Sequence, residues 1–192
     1  MSRQTKLQAA AGRLARLLDE HKTNLVLAES CTGGLVSAAL TRIPGISARL
    51  CGSAVVYQIE TKARWLGIPP AMLVKPGPVS RAVAAEMARR VLEKTPQADL
   101  GVSVTGHLGP DAPKSQDGLV YIGVARRIPK DKRRQVKSRD GRVAVTKHCL
   151  DEQETAADRL LSAPRRRVER QTAAALLVME AAIRAVAEAA AD

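Results

Sequence analysis

The chain has 192 residues, 45% of them apolar, and 31 Lys and Arg against 19 Asp and Glu give it a net charge of +12. That length suits one compact domain, since a single core serves ~100–200 residues. No run reaches the ~18 consecutive apolar residues of a membrane span. Three cysteines without CxxC spacing suggest neither a zinc site nor a disulfide framework, and two Tyr, one Trp and no Phe argue against base-stacking platforms.

From the N-terminus, Leu7, Ala10, Ala11, Leu14, Leu17 and Leu18 recur at helical spacing, so the first ~20 residues form an amphipathic helix and not a signal peptide. Asn24–Ala28 is a short apolar run suited to a strand buried on both faces. "GGLVSAALTRI" follows as a helix stopped by Pro44 and Gly45, and Leu50–Tyr57 is a second strand. "ETKARWLGI" supplies one or two helical turns ending at Gly67. Ser80 caps a helix running to about Glu93. Ala98–Gly106 and Gly118–Arg127 are further strands, and Arg142–Leu150 alternates as an edge strand. A long Ala-rich helix covers about Arg165–Ala190. Interleaved strands and helices predict an α/β fold, a three-layer α/β/α sandwich with a mostly parallel or mixed central sheet. Residues 1–192 are read as one domain, with a basic, flexible segment at about 129–141.

Candidate chemistry sits where strands end. "ESCTGG" (Glu29–Gly34) lies between a strand and a helix, where open α/β sheets bind ligands. Gly33 and Gly34 allow close backbone approach, and the following amides can face an anion or a developing oxyanion. Ser30 and Thr32 offer hydroxyls; Glu29 either orients a ligand or caps the helix. A second strand end brings Tyr57 and, five residues on, Lys62; a third brings Thr105, Gly106 and His107. The three ends converge on one cleft if their strands are parallel neighbours. The basic surface suits nucleic acid, an anionic membrane or a phosphorylated small molecule.

The combination "AESCTGG", "GSAVVYQIETK", "LGI", "GPVS" and "VTGHLGPD…GLVYIGVA" resembles the C-terminal domain of the competence/damage-inducible CinA family, over roughly Leu7 to Ala185. The family includes stand-alone nicotinamide-nucleotide amidases. The resemblance implies a three-layer α/β/α fold and hydrolysis of the carboxamide of nicotinamide mononucleotide to nicotinate mononucleotide and ammonia, in pyridine nucleotide salvage. It implies no cofactor and no metal, a cytoplasmic protein and a homodimer or higher homo-oligomer. The expected partner is a small phosphorylated nucleotide; nucleic acid is the less favoured partner, and no membrane is expected. The N-terminal domain of longer members is not expected here, nor are its functions.

By the same resemblance Ser30 is the nucleophile, Lys62 its activating base and Tyr57 the residue that assists proton transfer or positions the amide. Glu29, Cys31, Thr32, Gly33, Gly34, Thr105, Gly106 and His107 surround the substrate, with the oxyanion on amides near Cys31 to Gly34. Arg165 matches the arginine that family members carry shortly before the last helix in a Gly-Asp-Arg context, and would meet the phosphate, although Ala163-Pro164 precede it here. Attack by Ser30 and direct attack by an activated water both stay open. Two departures touch this region. Ile59 stands where members usually carry Asn, and "DAPKSQDG" replaces a Gly-Gly pair followed by "KPVG". The alternative reading is therefore a retuned or non-enzymatic member that binds a nucleotide or nucleic acid.

Overall fold

The computed structural model describes residues 2–113, 115–127, 142–150 and 163–191. The basic segment expected to be flexible at 129–141 lies outside them. The chain runs α1 (Arg3–Glu20), β1 (Leu25–Glu29), α2 (Leu35–Thr41), a 3-10 turn (Ile46–Ala48), β2 (Leu50–Val55), α3 (Ile59–Leu66), α4 (Pro70–Val74), α5 (Arg81–Glu93), β3 (Leu100–Gly106), β4 (Leu119–Arg126), β5 (Arg142–Cys149) and α6 (Ala163–Ala191). The helix starts follow side-chain chemistry. Ser2 accepts from the Thr5 amide at α1, and Ser80 accepts from the Val83 amide at α5.

The sheet order is β2-β1-β3-β4-β5. β1 pairs parallel with both β2 and β3, whereas β3–β4 and β4–β5 are antiparallel. The sheet is thus mixed, with helices on both faces, as the interleaved sequence predicts. Side-chain alternation sorts the central strands between two cores. Leu25 and Leu27 of β1, with Leu100, Val102 and Val104 of β3, join α1, α2 and α6 in one core. Val26 and Ala28 face the other, with Leu66, Leu73 and the apolar stripe of α5.

On that second face α5 lies almost against the backbone of β3 and β4. A Cβ on Gly123 would stand 2.4 Å from the Ala84 carbonyl oxygen, and one on Gly101 would stand 2.6 Å from that of Ala88. Ser103 donates to the Ala84 oxygen at 2.6 Å in the same seam. This close seating fixes the helix and, through Ser80 at its start, the 77–80 loop that reaches the strand ends.

Register does the rest. Glu29 is level with Val55 of β2 and Val104 of β3. β1 and β2 therefore end at one level, while β3 runs two residues farther, to Gly106, so that its last residues stand beside the turns that leave β1 and β2.

Candidate active site

At that level the backbone continues the pairing for one more step. The Ser30 amide donates to the Val104 oxygen and the Val56 amide to the Glu29 oxygen. Ser30 and Thr105 thus stand level on adjacent chains, and Tyr57 follows one residue past Val56 on the other side of β1. α3 then turns back so that Lys62, one turn inside it, points across the strand ends.

Lys62 is 2% exposed. Its Nζ lies 2.9 Å from Ser30 Oγ, 3.0 Å from the Val56 oxygen and 3.2 Å from the Tyr57 oxygen. All three partners are a hydroxyl or carbonyls, so nothing among them compensates a full charge. Burial accordingly pushes the Lys62 amine down from 10.5 to about 8, opposed weakly by the nearby Cys31. Burial pushes the Cys31 thiol up to about 12, against a smaller pull from Lys62. Near neutral pH Cys31 is therefore a protonated thiol and a poor nucleophile.

A cavity of about 300 Å³ opens over this pair. Of the residues expected to form the site, Ser30, Cys31, Tyr57, Lys62, Thr105, Gly106 and His107 line it. Thr105 is oriented by donating to the Pro78 oxygen at 2.9 Å. Gly106 has no room for a side chain, since a Cβ there would stand 2.8 Å from the Leu119 oxygen and 3.2 Å from Cys31 Sγ.

Glu29, Thr32, Gly33 and Gly34 lie behind the cavity wall and build the turn. The Glu29 carboxylate, 1% exposed, accepts from Thr32 Oγ1 and the Gly34 and Val36 amides on one oxygen. Its other oxygen accepts from the Ser37 amide and Ser53 Oγ. Of the two roles open to Glu29, capping is the one the geometry gives. The Gly33 amide donates to the Ser30 oxygen. The amides of Gly33 and Gly34, two of those between Cys31 and Gly34 expected near an oxyanion, are thus engaged inside the turn. Gly33 and Gly34 adopt φ of 62° and 96°, the left-handed values that the turn demands.

Arg165 is exposed in the first turn of α6 and is not on the cavity wall. The arginine that lines the cavity is Arg167. Its Nη2 donates to Tyr57 Oη at 2.6 Å, and its Nη1 donates to the Gly109 oxygen. Helical spacing held the signal. Arg167 lies three and seven residues before the buried Arg170 and Ala174, on the stripe that faces the sheet, whereas Arg165 is rotated off it. Gln171, on the same stripe, donates to the Thr32 oxygen at 2.8 Å and ties α6 to the Ser30 turn. Asp111 also lines the cavity, as does Ile59. Among the described residues no group of three or more His, Cys, Asp or Glu side chains is placed to hold a metal ion. Nor is any helix among them long and apolar enough to cross a membrane.

The family described as the CinA C-terminal domain matches residues 7–161. A CinA-like protein of Thermosynechococcus vestitus is 46% identical over 117 residues, which are 60% of this chain and 28% of that protein. A putative competence-damage inducible protein of Clostridium kluyveri is 44% identical over 124 residues, 64% of this chain and 29% of that protein. The matched region thus spans under a third of these curated relatives. The crystal structure of the competence/damage inducible protein CihA from Agrobacterium tumefaciens superposes with a TM-score of 0.74 at 27% identity, covering 91% of this chain and 92% of that one. A CinA superfamily protein from Klebsiella pneumoniae shares the fold at a TM-score of 0.75 and 22% identity, covering 95% and 98% of the two chains. With sequence and fold in agreement along most of its length, the chain belongs to the CinA C-terminal domain family.

Proposed function

We propose that the chain is an amidohydrolase that converts nicotinamide mononucleotide to nicotinate mononucleotide and ammonia. The observation that carries this reading is the contact between Lys62 Nζ and Ser30 Oγ at the floor of the cavity. A neutral amine has two N–H donors and one lone pair. With the Val56 and Tyr57 carbonyls as acceptors for two N–H bonds, the lone pair faces Ser30, which is what a general base for that hydroxyl requires. Ser30 Oγ gives its proton to Lys62 and bonds to the amide carbon. The carbon–nitrogen bond then breaks, and the nitrogen leaves as ammonia with the proton that Lys62 returns. Water adds to the acyl-serine by the same route, its proton passing to Lys62; the bond between the acyl carbon and Ser30 Oγ then breaks, Lys62 returns the proton to Oγ, and the carboxylate is released. A water activated by the same pair and attacking directly gives the same products without the acyl-serine.

Ile59 favours a second reading, a pocket retuned for another small amide. It lines the cavity at the position where the family resemblance leads one to expect Asn, and it offers no hydrogen bond to a substrate there.

The test is ammonia release from nicotinamide mononucleotide by the native protein, Ser30→Ala and Lys62→Ala. The proposal expects release by the native protein and a fall of at least ~10²-fold in each variant. Full activity in Ser30→Ala would leave the substrate but remove the serine nucleophile. No release by folded native protein would move the retuned pocket to the front.

A further inference from the structure

The contact between Arg167 and Tyr57 has a direction. A guanidinium carries five N–H donors and no acceptor. At 2.6 Å, Arg167 Nη2 must therefore donate, and Tyr57 Oη must accept. The phenol's own proton is then directed elsewhere. Tyr57 is 55% exposed, so packing alone does not hold its ring. It stands on the wall of the cavity that also contains Ser30 and Lys62. Arg167 is itself held at a second point, through the Gly109 oxygen on the opposite loop. Among the described residues it has no carboxylate at ion-pair distance, so its charge acts on the phenol and the cavity.

We propose that Arg167 is a positioning residue that fixes the Tyr57 hydroxyl as a hydrogen-bond donor into the cavity. The inference rests on the amidase reading for its chemical consequence. Tyr57 then donates to the amide of the substrate, at its oxygen as negative charge develops or at its departing nitrogen, and never accepts a proton from Ser30. Lys62 is left as the base, and Tyr57 is the donor that complements it. Arg167 has no part in bond making; it acts through Tyr57.

The experiment combines two measurements on the full chain. In the free protein, tyrosine labelled with carbon-13 at Cζ gives two resonances, from Tyr57 and Tyr121, assigned by the loss of one in Tyr57→Phe. Arg167→Met should move the Tyr57 resonance and leave Tyr121 in place; an unmoved Tyr57 resonance overturns the inference whatever the substrate is. The kinetic measurement is ammonia release from nicotinamide mononucleotide by Tyr57→Phe, Arg167→Met, Arg167→Lys and the double variant Tyr57→Phe/Arg167→Met. Each of the first two should lower kcat by roughly 10²–10³-fold, as expected for loss of a donor placed on developing charge. Arg167→Lys, which keeps one donor, should recover part of the loss. The double variant should be no slower than the slower single one, because both changes remove the same function. Losses that multiply, or a loss in Arg167→Met confined to KM, would make Arg167 a substrate-binding group instead and overturn the inference. If the native protein releases no ammonia, the substrate reading fails, and the tyrosine resonance alone upholds or overturns the Arg167–Tyr57 coupling.

Discussion

On the amidase reading proposed above Lys62 is the base, and its protonation then sets two observable pH dependences. The amine titrates near 8 because burial removes water from its charged form. Its base form therefore grows tenfold per pH unit below about 8 and saturates above it. The rate of amide hydrolysis should rise with unit slope in log rate up to about pH 8 and then level. Lys62→Arg, which stays protonated, should remove the activity at every pH. Stability moves in the same direction. The folded value of about 8 lies below the ordinary 10.5, so between those values the unfolded chain binds the extra proton. Stability contributed by this site thus rises with pH across that window, by on the order of 3 kcal/mol. Below pH 8 the full cost of the buried ammonium is present. Urea unfolding of native protein and Lys62→Met at pH 7 and pH 10 checks this. The variant should be relatively more stable at pH 7, and that advantage should shrink by pH 10. A pH-independent difference would mean that the amine is not held in its neutral-favouring environment.

At the scale of elements, the strand-to-helix turn depends on one carboxylate. α2 has only seven residues and opens on Gly34, which offers no side chain to cap it. Glu29, the last residue of β1, takes over that role from below, with five donors converging on its two oxygens. Glu29→Gln replaces one of those oxygens with an NH2 group. Whichever way the amide turns, at least one backbone N–H then faces a donor. The expected cost is about 3 kcal/mol in chemical unfolding, because the hydrogen bonds lost are to a charged acceptor. The strands and helices themselves were legible from periodicity. β1 is apolar on both faces because it has strand partners on both sides and helices above and below, whereas β3 alternates Leu100, Val102 and Val104 with the small or hydroxyl residues Gly101, Ser103 and Thr105 on its α5 face. The capping serine of α5 announced its helix equally well. The Glu29 network was not legible, since Ser37 and Ser53 look like ordinary surface hydroxyls until β2 is laid beside β1 in register. The same gap explains Arg165. A motif match in sequence is indifferent to helix rotation, whereas the cavity selects the arginine two residues later.

Across the whole molecule, the site is assembled from both ends of the chain. Ser30, Tyr57 and Lys62 come from the first third, and the facing wall comes from residues between Thr105 and Ala112 and from Arg167 of α6. Two arginines of α6 hold the segment that follows β3. Arg167 reaches the Gly109 oxygen. Arg170, 3% exposed, donates to Asp117 Oδ1 at 2.7 Å and to the Leu108 oxygen at 3.3 Å. Gly109 fits between them because it lacks a side chain; a Cβ there would stand 2.7 Å from Asp117 Oδ1 and 2.9 Å from Arg170 Nη1. The segment that follows β3 is thus shaped from outside, by an ion pair to the last helix. Asp117→Asn keeps the size and removes the charge. It should lower stability by about 1–3 kcal/mol, the range for a hydrogen bond to a charged partner. The more informative effect is on the site. His107, Leu108, Gly109 and Asp111 all lie on the cavity wall, so loosening the loop should raise KM for nicotinamide mononucleotide more than it lowers kcat. The Ser30–Lys62 pair, held by β1, β2 and α3, does not depend on this loop. A variant that loses kcat with KM unchanged would show that the loop serves the reacting atoms directly and not the outer wall of the pocket.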